Sequence, residues 1–351
     1  MKKLRVGVIG LGRSGYDIHC HLLSLLPEQF EIAAVTDPIA TRVDEATRTF
    51  GCTGYVDYQS MLDSGNLELV VNASPSHLHV PISLDVMERG FDVLCEKPLA
   101  RAASEVDSLI EKRDSTGRRI WVFQQSRFAP YFRKVQDILK SGLLGRIVMI
   151  KVAFNGFARR WDWQTLQEYN GGNLLNTGPH PLDQALNLFG TEEEPGVFCK
   201  MDRANTFGDA EDHVKLILFG DSSPTVEVEI SSCCPYPLYT YQVYATRGGL
   251  TGSMTHIDWK YFNESKAPKQ KLIREPLEGR VYAKEDLPWV EEAWDVPEGE
   301  LNLFDTAGTA YYRDLYTSHT SGSDGEVTIE QVRRQIAVIE ECHRQNPLEM
   351  L

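Results

Sequence analysis

The chain has 351 residues, of which 42% are hydrophobic, and its formal net charge is −14 at pH 7. One hydrophobic core rarely supports this length, so two domains are expected. The negative charge repels phosphate backbones and anionic lipid surfaces, and no apolar run reaches the ~18 residues of a spanning helix, so nucleic-acid and membrane partners are disfavoured.

The seven cysteines are dispersed, and none belongs to a CxxC pair. No apolar stretch of signal-peptide length precedes the first glycines, so a cytoplasmic protein with reduced thiols is expected. His19 and His21 flank Cys20, but residues two positions apart do not share a face of a helix. No metal site is therefore predicted.

Strand-type apolar runs alternate with helix-type patterns over the first third of the chain. Strands are predicted at 4–10, 31–37, 54–57, 67–74, 92–97 and 118–125. Helices are predicted at 14–26, 39–50, 77–89 and 104–113. Unbroken apolar runs are typical of strands buried on both faces, and repeated strand–helix units build parallel sheets. A doubly wound parallel sheet, the Rossmann fold, is expected over 1–125, with ligands beyond the carboxyl ends of its strands.

A GxGxxG motif follows the first predicted strand and opens the first predicted helix. Its residues are Gly10, Leu11, Gly12, Arg13, Ser14 and Gly15. Glycine lets the backbone turn tightly and approach a pyrophosphate, which then rests on the N-terminus of the helix. In this context the motif predicts dinucleotide binding.

The second predicted strand ends in Asp37, 22 residues after Gly15. A carboxylate at this place accepts hydrogen bonds from ribose hydroxyls and repels a 2′-phosphate. The next residue is Pro38 rather than a phosphate-binding arginine, so NAD is the predicted cofactor. Arg42 lies close enough in sequence to keep NADP as the alternative.

Polar residues also follow later strands of the predicted parallel sheet. They are Ser74-Pro75-Ser76 after the fourth strand, Glu96-Lys97-Pro98 after the fifth and Gln124-Gln125 after the sixth. Pro98 ends the strand and restricts the backbone beside Lys97. A lysine at the cofactor crevice is one interpretation of Lys97, and a solvated lysine at a strand end is the other.

A histidine stands between two prolines in the segment NGGNLLNTGPHPLDQAL, residues 170–186. Pro181 lacks an N–H and Pro179 has a restricted φ, so neither a regular strand nor a mid-helix position is expected for His180. An imidazole directed at a ligand and an imidazole that caps a loop are the two alternatives.

The rest of the chain is rich in strand patterns with partial alternation. They lie at 147–156, 196–204, 212–220, 225–234 and 239–248. Clusters of Gly, Pro, Asn and Asp separate them, as is typical of antiparallel strands. Residues 253–300 carry much charge without a clear period, and we interpret them as an elaborated loop region.

Three segments together resemble the glucose–fructose oxidoreductase/inositol dehydrogenase/rhizopine catabolism (Gfo/Idh/MocA) family. They are VGVIGLGRSG, SPSHLHVPISLDVMERGFDVLCEKPLA and GGNLLNTGPHPLDQAL. The resemblance covers nearly the whole chain. It implies a Rossmann domain followed, over 126–351, by an α/β domain for substrate binding and oligomerisation with a large, mostly antiparallel sheet. It also implies NAD(P)-dependent oxidation or reduction of a hydroxyl of a sugar, sugar derivative or cyclitol.

The resemblance also implies roles for particular residues. His180 matches the family's catalytic histidine, a general acid and base, and Lys97 matches the lysine that polarises the reacting oxygen. Asn176 and Asp183 match positions that bind substrate. Arg127 and Trp161 lie near positions that approach cofactor or substrate, with plain packing as the alternative.

Further cofactor contacts are implied at the ends of the fourth, fifth and sixth strands. Ser74, Pro75 and His79 resemble the family's Thr-Pro-Asn-x-x-His. Glu96 and Lys97 of the Glu-Lys-Pro segment, and Gln125 after the sixth strand, complete the predicted contacts.

The chain departs from the family pattern at Asn176, where relatives commonly have Asp, and at Asn173, where they have Gly. A neutral amide still binds a hydroxyl but cannot stabilise an imidazolium by charge. Two alternatives to a dehydrogenase stay open: an NAD-dependent, redox-neutral glycoside cleavage, and a non-catalytic nucleotide-dependent sensor. A homodimer or homotetramer through the open face of the second sheet is expected, because relatives associate there and a bare apolar face favours association.

Overall fold

The computed structural model describes residues 2–191, 193–279 and 281–351. Two β-sheets form its frame. The strands of the first sheet are β1 Leu4–Ile9, β2 Phe30–Thr36, β3 Thr53–Tyr55, β4 Leu69–Asn72, β5 Asp92–Cys95 and β6 Ile120–Val122. Those of the second are β7 Ile147–Asn155, β8 Gly196–Asp202, β9 His213–Phe219, β10 Thr225–Ser231, β11 Tyr241–Ala245, β12 Gly248–Gly252, β13 His256–Phe262 and β14 Trp289–Asp295.

Helices cover both faces of the first sheet and one face of the second. They are α1 His21–Ser24, α2 Ala40–Phe50, α3 Tyr58–Asp63, α4 His79–Glu88, α5 Ala103–Thr116, α6 Pro130–Lys140, α7 Asn173–Asn176, α8 Pro179–Phe189, α9 Leu303–Ser321 and α10 Ile329–Gln345. A π-helical segment, Arg13–Cys20, leads into α1. Short 3₁₀ turns lie at Ser76–Leu78, Gln125–Phe128, Trp163–Thr165, Gln167–Tyr169, Glu264–Lys266 and Glu298–Glu300.

The first sheet is parallel throughout, with strand order β3-β2-β1-β4-β5-β6. All four residues of β4 are buried, as are all three of β6, because helices cover both faces. The order reverses between β1 and β4, so the loops after these two strands diverge and leave a crevice at their carboxyl ends. The predicted Rossmann fold is confirmed.

The second sheet has the order β14-β13-β12-β11-β7-β10-β9-β8. Its strands pair antiparallel except for β7 and β10, which are parallel. Burial alternates along β9 and β10, so one face of each strand carries buried Val, Leu and Ile. Helices α7 and α8 pack on this inner face. The predicted second fold, a large and mostly antiparallel sheet with helices, is confirmed.

The outer face of the second sheet is not apolar throughout. The Lys215 ammonium lies 2.7 Å from the Glu229 carboxylate and also pairs with Glu227. The Lys151 ammonium lies 5.2 Å from the centroid of the Tyr244 ring. Our premise of a bare apolar face was therefore wrong over this part of the sheet. A homodimer or homotetramer through this face stays a prediction.

The interpretation of residues 253–300 as a loop region is wrong for two segments. Strands β13 and β14 pair antiparallel there, with Trp259 opposite Glu292. The edge strand β14 has the sequence WVEEAWD, and six of its seven residues are exposed. Because neither of its faces is deeply buried, its sequence lacks the alternation by which a strand is recognised. Residues 263–288 connect the two strands.

The last two helices pack beside the first sheet, and α10 also contacts the second. The Tyr311 hydroxyl of α9 donates a hydrogen bond of 2.7 Å to the carbonyl of Val122 in β6. Helix α10 packs against both α5 and β8. The predicted domain boundary between residues 125 and 126 therefore stays a prediction. Over the described residues, no helix combines the length and the apolar character needed to cross a membrane.

Candidate active site

A cavity of about 610 Å³ opens at the carboxyl ends of β1, β2, β4 and β5, where the strand order reverses. Most residues of the predicted dinucleotide site line it: Gly10, Gly12, Arg13, Ser14, Asp37, Ser74, Pro75, His79, Glu96 and Lys97. The segment after β7 closes one side with Arg160, Asp162, Trp163 and Gln164. Ligands of open α/β sheets bind at this place. We call it the dinucleotide cavity.

Two glycines of the GxGxxG motif are explained by different constraints, one from the fold and one from the ligand. A Cβ on Gly15 would lie 1.7 Å from the carbonyl oxygen of Gly10, so the fold itself requires glycine there. Gly12 has an ordinary φ of −71°, and a Cβ on it would meet no heavy atom of the described chain within 4 Å. The fold does not require glycine at position 12. The open space above it fits the close approach of a pyrophosphate.

Asp37 connects the glycine loop to the end of β2. Its Oδ2 accepts a hydrogen bond of 2.7 Å from the N–H of Leu11, and its Oδ1 accepts one of 2.8 Å from the N–H of Ile39. The guanidinium of Arg42 lies 3.4 Å from Oδ2 and is half exposed at the rim. The buried carboxylate thus holds the loop, while the arginine lies where it can contact a group at the ribose.

Lys97 reaches from the first sheet to the second. Its Nζ donates a hydrogen bond of 2.9 Å to the carbonyl oxygen of Asn176, at the end of α7. Burial lowers the pKa of Lys97, although the charge of Glu96 opposes this shift. The Lys97–Pro98 peptide is cis. The structure therefore brings Lys97 into contact with the segment that carries Asn176 and His180.

His180 is the second residue of α8, which begins with Pro179 at a position that needs no N–H donor. Its own N–H donates to the carbonyl of Thr177 at 3.2 Å. Burial, together with the charge of Lys97, lowers the pKa of His180 to about 3 against the opposing charge of Glu96. The imidazole is therefore neutral at physiological pH. Its Nδ1 is buried without a hydrogen-bond partner among the described residues.

Glu96 is held by a buried network that sequence reasoning missed. Its Oε1 lies 3.1 Å from Nε2 of His19, whose Nδ1 lies 2.7 Å from the hydroxyl of Tyr312 in α9. Burial raises the pKa of Glu96, but the hydrogen bond and charge of His19, with the charge of Lys97, outweigh it and lower this pKa to about 2. Glu96 is thus a carboxylate beside Lys97. No local pattern links residues 19, 96 and 312, so the sequence carried no signal for this network.

The other predicted cofactor residues take different places. The ring nitrogens of buried His79 lie 2.7 Å from the carbonyl of Pro98 and 2.9 Å from that of Ser74, so His79 ties these two loops together. Gln125 is buried beyond β6, and its Oε1 has no hydrogen-bond partner within the described chain. An unpartnered acceptor of this kind fits a polar group of a bound ligand.

Arg127 and Asp183 form a buried ion pair with each other. The Arg127 Nε donates a hydrogen bond of 2.9 Å to Asp183, Nη2 makes a second one, and both side chains are at most 3% exposed. Arg127 also donates to the carbonyl of Glu326 at 3.0 Å. Their charged atoms are thus directed at each other, and neither residue lines the dinucleotide cavity. This geometry does not support direct substrate contact for either residue.

The predicted Trp161 is 78% exposed and lies edge to face with Phe207, outside the dinucleotide cavity. Its neighbour Trp163 lines the cavity instead. The sequence placed the tryptophans near the site, but only the turn at Trp163–Thr165 decides which ring faces it. Among residues 2–191, 193–279 and 281–351, no cluster of His, Cys, Asp or Glu is arranged to hold a metal ion.

Two family models match the chain. The one described as "Oxidoreductase family, NAD-binding Rossmann fold" matches residues 4–124, and the "GFO/IDH/MocA C-terminal domain" matches residues 132–251. The chain belongs to the GFO/IDH/MocA family of oxidoreductases.

Particular relatives agree with this membership. Inositol 2-dehydrogenase 4 of Saccharopolyspora erythraea is 32% identical over 269 residues, which are 73% of this chain and 77% of that protein. The scyllo-inositol 2-dehydrogenase (NADP(+)) IolW of Bacillus subtilis is 28% identical over 229 residues, 62% of this chain and 63% of that protein. The matched part spans only 60 to 64% of the length of four other curated relatives.

A solved structure shares the fold. The WlbA dehydrogenase of Bordetella pertussis, in complex with NADH and UDP-GlcNAcA, superposes with a TM-score of 0.78. The superposition covers 98% of this chain and 96% of that one, at 20% sequence identity. At this identity the likeness extends to the fold alone.

Because Gly12 and Gly15 are constrained in different ways, alanine at each position should have a different effect on stability and on NADH binding. Gly12→Ala should leave the unfolding temperature unchanged and weaken NADH binding about tenfold or more, because its Cβ occupies only the space for the ligand. Gly15→Ala should lower the unfolding temperature, because its Cβ collides with the Gly10 carbonyl. Differential scanning fluorimetry and NADH fluorescence titration measure both effects. A Gly12→Ala variant that binds NADH normally would contradict the assignment.

The buried ion pair of Arg127 and Asp183 predicts that substitutions of the two residues will have non-additive effects on stability in a double-mutant cycle. Asp183→Asn should lower the free energy of unfolding by about 3–5 kcal/mol, because an uncompensated guanidinium stays buried. Combining it with Arg127→Met should recover much of this loss. The exposed pair of Arg344 and Glu341 supplies the control, since Arg344→Ala should change stability by less than about 1 kcal/mol. Urea denaturation measures these values, and additive effects of the two buried substitutions would refute the coupling.

Proposed function

We propose that the protein is a dehydrogenase that transfers hydride between NAD and a carbinol carbon of a sugar, sugar derivative or cyclitol. The observation that carries this proposal is the contact between Lys97, which follows β5 of the first sheet, and the α7–α8 segment that holds His180, 83 positions later in the chain. The hydrogen bond from Lys97 to Asn176 brings the ammonium to the segment of His180, and the charge of Lys97 acts on the imidazole. The inositol dehydrogenases among the relatives support this substrate class.

Oxidation of an alcohol requires loss of the hydroxyl proton as hydride leaves the carbon. His180 is suited to accept that proton, since its lowered pKa keeps the imidazole neutral. A lysine ammonium has three N–H donors, and the carbonyl of Asn176 uses one of those of Lys97. The remaining donors can hydrogen-bond the substrate oxygen and stabilise its developing negative charge.

The residues of the dinucleotide cavity would hold NAD, which supplies the hydride acceptor when bound. The glycine loop would face the pyrophosphate, and Asp37 would face the adenosine ribose from the end of β2. Glu96 lies beside Lys97 after β5, and the unpartnered Oε1 of Gln125 belongs to the turn after β6. Asn176 can bind a neighbouring hydroxyl through its amide.

Removal of either catalytic group should lower turnover with little effect on NAD affinity. His180→Ala should lower kcat about 10²–10⁴-fold, the usual contribution of general base catalysis. Lys97→Ala should have a similar effect, and the double variant should be little worse than either, because the two residues act as a unit. Initial rates of NADH formation with a panel of aldohexoses, pentoses and inositols measure turnover, and product analysis detects a redox-neutral reaction. His256→Ala, at the far edge of the second sheet, is the matched control.

The pH dependence of kcat/KM shows whether the residue at position 176 tunes the pKa of His180 or only binds the substrate. Asn176→Asp should raise the pKa of His180, because a carboxylate stabilises the imidazolium. The rise of kcat/KM with pH should then move to higher pH in this variant. A profile that does not move would mean that Asn176 acts only as a substrate ligand. Full activity of His180→Ala would refute the proposed mechanism.

We also propose that Asp37 selects NAD over NADP by repelling a 2′-phosphate. The relatives do not decide this point. The IolW dehydrogenase is named for NADP, whereas the WlbA structure contains NADH. Asp37→Asn removes the charge and keeps one acceptor oxygen for the two N–H groups of Leu11 and Ile39. It should shift the NAD-to-NADP affinity ratio toward NADP by about tenfold or more. Arg42→Ala should shift the ratio the other way. Tighter wild-type binding of NADP, measured by fluorescence titration of NADPH against NADH, would contradict the proposal.

A further inference from the structure

A second cavity, of about 570 Å³, lies at the carboxyl ends of the parallel strands β7 and β10. Residues 153–158 and 230–232, the loop 237–240 and two residues of the α7 region, Asn173 and Thr177, line it. Its volume is within the range of about 300–1,000 Å³ that is usual for small-molecule sites. We call it the sheet cavity.

The sheet cavity adjoins the catalytic pair. Thr177 lines it, and the carbonyl of Thr177 accepts the N–H of His180 at 3.2 Å. The residue before it, Asn176, accepts the hydrogen bond from Lys97. The dinucleotide cavity ends at Lys97 on the other side of this contact. A substrate whose reacting carbon lies at Lys97 and His180 therefore has the sheet cavity as the adjacent space.

The described lining of the sheet cavity contains no Asp, Glu, Lys, Arg or His. Charged residues make up 25% of the chain, so a lining of this size that contains no charged residue is informative about the charge of the ligand. A phosphate or carboxylate placed there would be partly desolvated without a cationic partner, in a protein of net charge −14. The sheet cavity therefore fits an uncharged ligand.

Two features of the lining show what the uncharged ligand would contact. The Oδ1 of Asn155 is buried and has no hydrogen-bond partner in the described chain, whereas its Nδ2 donates to Glu229 at 2.6 Å. This unpaired acceptor thus belongs to a residue that lines the sheet cavity. Phe157 and Leu238 are 60% and 91% exposed and provide an apolar wall. Apolar walls with a few fixed polar groups are typical of sites for sugar rings and aromatic groups.

We propose that the substrate is an uncharged glycoside, whose reacting sugar lies at Lys97 and His180 and whose second sugar ring or aryl group occupies the sheet cavity. This inference rests on the proposed dehydrogenase function and narrows its substrate class. The same lining disfavours a phosphate or carboxylate on the group that occupies the sheet cavity. A free monosaccharide leaves the sheet cavity unused and is a poorer substrate.

The test compares neutral and charged versions of the same sugars. Glucose, galactose and mannose are each assayed with NAD as the free sugar, as the phenyl α- and β-glycosides and as the 6-phosphate, with glucuronic acid added. For at least one configuration, kcat/KM of the phenyl glycoside should exceed that of the free sugar about tenfold or more, and the charged sugars should be the poorest. A charged sugar as the best substrate would overturn the inference.

Two aspartate variants test whether the advantage of the phenyl glycoside arises in the sheet cavity. Leu238→Asp places a charge in the sheet cavity and should abolish most of the advantage of the phenyl glycoside while leaving the free sugar unchanged. Leu272→Asp is the matched control, since Leu272 is 85% exposed and lies outside the sheet cavity. Equal rates for free sugar and glycoside, with no effect of Leu238→Asp, would overturn the inference while the dehydrogenase proposal stands.

Calorimetric titration of the NADH-loaded protein with the same phenyl glycosides separates the two proposals. Binding that Leu238→Asp weakens, without turnover of any sugar, would support the sheet cavity and reject the dehydrogenase function. Absence of both binding and turnover with every neutral glycoside would overturn the inference. The titration needs no catalytic step, so its result does not depend on the mechanism assigned to Lys97 and His180.

Discussion

The hydrogen bond from Lys97 to the carbonyl of Asn176 is the contact on which the candidate active site depends, because it joins the end of β5 to the helical segment that leads to His180. Other contacts hold the same junction. Gln335 of α10 accepts from Gln124 at 2.8 Å and donates to the carbonyl of Pro179 at 2.6 Å, next to His180. A relative shift of the two sheets by about one ångström would break the hydrogen bond of Lys97, and shifts of this size cost catalysis heavily.

The charge balance at this junction follows from the same arrangement. The charge of Lys97 lowers the pKa of the His180 imidazole, and position 176 holds an amide rather than a carboxylate. Glu96 is the carboxylate whose charge acts on both Lys97 and His180. His19 and Tyr312 keep it buried and ionised. Glu96, which follows β5, thus supplies negative charge that the helix segment before His180 does not contain.

Much of this site was predictable from local patterns. The glycine motif, Asp37 and the Glu-Lys-Pro segment each follow a strand, and parallel strands bring their carboxyl ends to one edge, so these residues converge in the dinucleotide cavity. The predicted substrate contacts of Arg127 and Asp183 lack this support, because the two side chains neutralise each other in the interior. A charged residue in a sequence does not reveal whether its partner is a ligand or another side chain.

The sequence by itself predicted the two fold types and the residues that converge at the dinucleotide cavity, because periodicity and turn chemistry act over a few residues. Local patterns left two interpretations each for Lys97 and His180, and only the resemblance to the family proposes their roles. Only the tertiary structure decided that His19 and Tyr312 hold Glu96, that Trp163 rather than Trp161 faces the cavity, and that an uncharged cavity adjoins the segment before His180. These features arise from contacts between residues far apart in the chain, and their geometry is set by how the helices pack the two sheets together.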